Sequence, residues 1–166
     1  MKKLLILLFT MSLVLFSGVA AFGLSSPTVT EGQWEVMGVV TSIGGGAIVG
    51  GEYGISPELA IVAELGSSYF SKIGVIYELH SNVAVTGGIS GPGLFAGIIG
   101  SMPMGKSLVG IGQLDVKLTD DQTLFIYEGG VRYYFRKQWD LRGALIGAFA
   151  GEDNVVGLGF GVGYRF

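Results

Sequence analysis

His80, Ser81 and Asn82 adjoin one another, and His80 is the single histidine among 166 residues. A serine beside a histidine is the smallest unit of nucleophile and base, provided the two side chains meet. Neighbours on an extended strand point to opposite faces, so a pair at these positions depends on a turn. The acids and bases form a larger constellation: Glu35, Glu52, Glu64, Glu78, Asp115, Glu128 and Asp140 with Lys72, Lys117, Arg132, Arg142 and Arg165. Seven carboxylates and five cations on one face would either pair into a buried network or line a wet passage whose acidic excess favours cations. Metal and phosphate chemistry has little to build on. There is no cysteine and no histidine cluster, the Asp120-Asp121 and Glu152-Asp153 turns hold too few ligands for a calcium loop, and neither Gly44-Gly45-Gly46 nor Gly50-Gly51 precedes a helix. No cofactor is expected.

Whether these charges share a face depends on the elements that carry them. At the C-terminus Val156, Leu158, Phe160, Val162, Tyr164 and Phe166 alternate with Gly157, Gly159, Gly161, Gly163 and Arg165, a bulky apolar face backed by an almost bare one. The same alternation recurs upstream. Phe125, Tyr127, Val131, Tyr133 and Phe135 oppose Glu128, Gly130 and Arg132, while Trp139, Leu141 and Leu145 oppose Asp140 and Arg142. Leu114 and Val116 oppose Gln113, Asp115 and Lys117; Ile73, Val75 and Tyr77 oppose Lys72 and Glu78. Ile61 and Ala63 oppose Glu64, Val49 and Tyr53 oppose Glu52, and Trp34 and Val36 oppose Glu35. Gly93 to Ser101 is apolar on both faces and leaves its orientation open. Period two repeated over ten segments of about nine to fourteen residues is the mark of sheet. Short turns such as Ser56-Pro57-Glu58, His80-Ser81 and Arg136-Lys137-Gln138 separate the segments, which favours antiparallel hairpins.

Lys2 and Lys3, the apolar run Leu4 to Phe16 and the small residues Val19-Ala20-Ala21 have the layout of a secretory signal, so residues 1–21 are expected to be cleaved. Residues 22–31 are then expected to form a short periplasmic segment and residues 32–166 the folded domain. Loss of the two lysines leaves eight Lys/Arg against thirteen Asp/Glu, a net charge of −5 that disfavours nucleic acid as a partner. Thirty glycines are compatible with a narrow curved sheet whose inner face must stay small.

A bulky apolar face turned outward fits lipid, and a sheet in lipid cannot leave an unpaired edge. The fold class expected is therefore all-β: a closed antiparallel transmembrane β-barrel of ten short strands, with eight as the runner-up. In the ten-strand register Trp34, Tyr53, Tyr77, Tyr133, Phe135, Trp139, Tyr164 and Phe166 fall on one rim, an aromatic girdle that also holds the termini. Tyr69, Phe70, Phe125 and Phe149 form a thinner band on the other.

The signal layout, the alternation and the closing Gly161-Val162-Gly163-Tyr164-Arg165-Phe166 resemble small bacterial outer-membrane β-barrel proteins of the OmpA-like and porin-like kind. That resemblance covers roughly residues 32–166. It implies an outer-membrane location with both termini periplasmic, and Tyr164 and Phe166 as the assembly signal. The partners it implies are outer-membrane lipid and lipopolysaccharide, with the barrel-assembly machinery and periplasmic chaperones during biogenesis; a monomer is expected. His80-Ser81-Asn82 also faintly resembles a His-x-Ser-Asn segment of outer-membrane lipid A deacylases. Here the two residue types are adjacent and lie on the periplasmic rim, where that family has no site, so no enzyme is expected.

The expected function is a structural outer-membrane barrel with a polar, largely plugged lumen. A narrow porin-like channel for small ions or solutes and a small surface-binding barrel are the alternatives. Glu128 and Arg132 share a face four residues apart, and Asp140 and Arg142 stand on the next strand, so cross-strand pairing is expected to build the network.

Overall fold

Each stretch of period-two sequence becomes a strand. In a computed structural model, which describes residues 25–27, 30–43, 46–66, 71–91, 93–151 and 153–166, the strands are β1 (Trp34–Thr41), β2 (Ala47–Gly54), β3 (Leu59–Leu65), β4 (Lys72–His80) and β5 (Val83–Ser90), followed by β6 (Gly93–Pro103), β7 (Leu108–Leu118), β8 (Thr123–Arg136), β9 (Trp139–Ala150) and β10 (Asp153–Arg165). Every strand pairs antiparallel with its sequence neighbour, and β1 pairs with β10, so the sheet is a closed ten-stranded barrel. Residues 1–21, the Gly44-Gly45 turn, Tyr69, Phe70, Pro92 and Glu152 lie outside the described residues.

The alternation sorts side chains in the sense opposite to a water-soluble core. Arg132 and Glu52 are wholly buried within the barrel, whereas Leu65, Leu94 and Phe160 are 73%, 63% and 63% exposed on its outside. Apolar side chains extend this band over the whole sheet, with Ile73, Leu114, Leu141 and Leu158 among them. An apolar surface on that scale is far beyond what a monomer in water displays. Its height fits a bilayer: the ten-residue step from Trp139 to Phe149 along β9 rises about 25 Å at the usual strand tilt, close to the apolar band of a membrane barrel.

Register decides the one segment whose sequence left both faces possible. On β6, Phe95 and Ile99 are buried while Leu94 and Ile98 are exposed. The pairs Phe95↔Lys117 and Gly97↔Asp115 tie β6 to β7, whose charged residues face inward. A slip of one residue would turn every side chain of β6 over.

The interior is not uniformly polar. Val39, Ile48, Val62, Ile76, Ile99 and Ile146 belong to a buried apolar cluster inside the barrel. Glycine makes room for the polar remainder: a Cβ on Gly163 would collide with Arg142 Nη2 and sit 2.6 Å from Asp140 Oδ2. The bare face of β10 is thus the cavity into which an ion pair of β9 fits.

Candidate functional site in the lumen

The inward charges gather into two clusters at different heights. Near the rim where β1 begins and β10 ends, Glu35 on β1 stands directly across from Arg165 on β10 and Glu52 on β2. Arg132 and Arg142 are cross-strand neighbours on β8 and β9, a like-charge pairing that is unfavourable unless acids intervene. They do. Arg132 Nη2 donates to Glu35 Oε1 at 2.5 Å and to Asp140 Oδ2 at 2.9 Å, and Arg142 Nε donates to Asp140 Oδ1 at 2.6 Å. Arg142 Nη2 also pairs with Glu35 Oε1, and Arg165 Nη2 reaches Glu35 Oε2 at 2.8 Å. Glu35 is therefore the hub, accepting from three guanidiniums. The Tyr134 ring lies 5.4 Å from the Arg132 guanidinium carbon and 5.7 Å from that of Arg165, within cation–π range.

The second cluster lies among β3, β4, β7 and β8. Lys72 Nζ is 3.4 Å from Glu64 Oε1 and 3.3 Å from Asp115 Oδ2, and Gln113 Nε2 donates to the same Asp115 oxygen at 2.7 Å. Glu64, Lys72, Asp115, Lys117 and Glu128 line a cavity of about 10 Å³, room for about one water molecule. The two clusters differ in balance. Glu35, Glu52 and Asp140 match Arg132, Arg142 and Arg165, while Glu64, Asp115 and Glu128 outnumber Lys72 and Lys117. Glu128 Oε2 and Asp115 Oδ1 are buried without a hydrogen-bond partner among the described residues. Neutralising the surplus should therefore relieve repulsion instead of breaking a pair. We expect Glu128→Gln to keep the unfolding temperature in detergent micelles or raise it by a few degrees; a clear fall would mean that its charge is required.

Of the twelve charges proposed from sequence, eleven enter these clusters or their walls. Glu78 does not. It is half-buried near the end of β4, where a register shift between Glu78 and His80 turns the strand toward the rim, and it has no ion pair among the described residues. Of the four residues expected to pair across β8 and β9, Arg132, Asp140 and Arg142 meet and Glu128 stays apart: Arg132 reaches toward the rim to Glu35 and Asp140 while Glu128 faces the other cluster. Tyr134 was missed from sequence, although its shared parity with Arg132 is a signal that places it on the inner face. Ser25 and Ser26 gave no such signal, since they precede any alternation.

Part of the segment expected to be periplasmic lies inside the barrel: Ser25 and Ser26 are buried, Ser25 Oγ donates to Glu64 Oε1 at 3.3 Å, and the Ser26 N–H donates to Glu52 Oε1 at 3.2 Å. Buried carboxylates need donors, and the nearby chain supplies them.

At the rim, Trp34 and Tyr53 pack with ring centroids 4.6 Å apart, and Trp139–Tyr164 and Tyr164–Phe166 both at 4.7 Å. Tyr77, Tyr133 and Phe135 extend outward from strand ends on the same rim. Phe125 and Phe149 stack at 4.8 Å toward the opposite one. At the β4–β5 turn Ser81 Oγ stands 3.2 Å from His80 Nδ1, so the turn does bring the pair together, in an exposed position.

The chain is similar to small transmembrane barrels. Solved structures that it resembles include the N-terminal β-barrel domain of Pseudomonas aeruginosa OprF, at 16% identity and a TM-score of 0.49 over 83% of this chain and 100% of that one. The KdgM porin aligns at 11% identity and a TM-score of 0.48, over 81% of this chain and 99% of that one. A de novo designed transmembrane β-barrel aligns at 16% identity and a TM-score of 0.46, over 84% and 99%. No protein-family profile and no curated protein matches the sequence.

Proposed function

We propose that the protein is an integral outer-membrane barrel with a structural role, exported by a cleaved signal, with both barrel termini on the periplasmic side and a lumen closed to ion flow. The observation that carries the closed lumen is the buried cluster of Glu35, Arg132, Asp140 and Arg142, whose side chains reach between β1, β8 and β9 and leave Arg132 with no exposed surface. Its apolar outer band and aromatic rim support a bilayer location. Planar-bilayer recording tests the closure: the purified protein is expected to add no steady current at physiological salt, and a regular unitary conductance would replace this function with a narrow channel. The acidic surplus around Glu64, Asp115 and Glu128 is what favours that second function, and it would make such a channel cation-preferring.

His80 and Ser81 are assigned no catalytic part. Their exposed turn lacks an acid to orient the histidine among the described residues, and without that third group the base is poorly held.

Tyr164 and Phe166 are proposed as the signal read by the assembly machinery. Their packed rings continue the outer face to the end of the chain. Deleting Phe166 is expected to reduce the heat-modifiable, membrane-inserted fraction several-fold in the expressing bacterium, while detergent refolding of the same variant changes little. Equal insertion with and without Phe166 would reduce it to ordinary rim packing.

A further inference from the structure

Residues 30–33 make a tight return at the rim. Gly32 adopts φ +74°, Gly32 N–H donates to Gly54 O at 2.9 Å, Gln33 N–H donates to Thr30 O at 3.0 Å, and Glu31 bridges Gly54 in parallel. A positive φ is costly for any residue with a side chain, and glycine at this position lets the chain double back. Gly54 completes the passage, because a Cβ there would collide with the carbonyl of Thr30. Pro27 then lies beside Ala60, Ile76 and Glu78. Ser26 meets Glu52, and Ser25 meets Glu64, whose strand partner is Gly50. Gly54, Glu52 and Gly50 are successive inward positions of β2, so the segment descends the β2–β3 wall one inward layer at a time.

We infer that the lumen is a binding site for the chain's own Ser25–Pro27 segment, and that withdrawal of this segment opens a path for small cations along β2 and β3. The inference rests on the closed lumen proposed above. Recognition is chemical: two buried carboxyl groups accept from a backbone N–H at 3.2 Å and a hydroxyl at 3.3 Å, hydrogen bonds at the long, weaker end of the range, as a segment that can leave requires. Glu52 faces Glu35 across the strand pair, and its Oε2 has no hydrogen-bond partner among the described residues, so the segment's N–H offsets part of its burial. Once the segment leaves, Glu52 and Glu64 lose these donors, must recruit water, and complete an acidic wall around the interior with Asp115 and Glu128, which stand across the lumen on β7 and β8. Such a wall favours cations over anions.

The absence of cysteine permits a direct test. Ser25→Cys, in protein purified from the membranes of the expressing bacterium, is expected to react with a bulky hydrophilic maleimide about tenfold or more slowly than Lys137→Cys on an exposed turn, as protection by a docked segment requires. Adding Ser26→Pro removes the N–H that meets Glu52 without touching a strand. It is expected to bring the Ser25→Cys rate close to the exposed control and to introduce a cation-selective current in planar bilayers. Equal rates for the two single-cysteine proteins would overturn docking. Fast labelling of the Ser26→Pro form with no current would overturn the opening step. A large current in a parent whose Ser25→Cys thiol stays protected would overturn the closed lumen together with the opening step, and leave docking standing.

Discussion

Glu35→Gln is expected to lower the unfolding temperature in detergent micelles by about 10 °C, more than any other isosteric neutralisation in the lumen. Its size follows from the hub geometry. Glu35 Oε1 accepts from Arg132 and Arg142, and Oε2 from Arg165. A glutamine in the same place keeps the shape but carries one amide nitrogen, and in either flip that nitrogen points its own donors at guanidinium donors. The loss is therefore double: an anion that balanced three cations disappears, and a donor replaces an acceptor. Breaking a buried pair costs about 3–5 kcal/mol because the stranded partner stays desolvated. Asp140→Asn provides the internal scale. Asp140 meets two guanidiniums, Arg132 and Arg142, so its effect should be smaller. An equal or larger loss for Asp140→Asn would show that Asp140, not Glu35, organises the cluster.

Much of this architecture was legible because a barrel strand repeats a binary choice. The charged or, on β5, the hydroxyl-bearing members of nine segments fixed which parity faced inward, and once Glu128 and Arg132 pointed in, Phe125, Tyr127 and Val131 had to point out. β6 carries no charge, so its orientation became determinate only through its register with Asp115 and Lys117 on β7. Parity says nothing about height. Glu128 and Arg132 share a face, yet they belong to different clusters, because partners are chosen across the lumen and only the folded barrel brings β1 against β8 and β9 at one level. The inward Val39 and Ile48 were likewise hidden, since attention to charges marks the inner face as polar while apolar side chains fill much of it. Ser25 and Ser26 escaped for a third reason: a segment that enters the lumen by doubling back carries no alternation to betray it.

Arg132→Ala separates a packed lumen from a wet one. Arg132 has no exposed surface, and its Nη2 holds Glu35 and Asp140 together while its guanidinium lies over the Tyr134 ring. In a dry interior the truncation strands two acids with fewer cations and leaves a cavity, so a loss of about 3–5 kcal/mol and a fall of about 10 °C in the unfolding temperature are expected. Arg142 partly compensates, because it still pairs with both Asp140 and Glu35. This shared environment makes the Arg132 and Glu35 changes non-additive: the double variant Glu35→Gln with Arg132→Ala should be more stable than the sum of the single losses predicts. Water in the lumen would reverse the pattern, since solvent screens the uncovered acids and the truncation becomes inexpensive. Thermal unfolding measured beside single-channel recording distinguishes the two states. A large stability loss, a positive coupling in the double variant and no parent current belong to the packed lumen, whereas a stable Arg132→Ala protein with a more cation-selective current than its parent would mean that the barrel conducts.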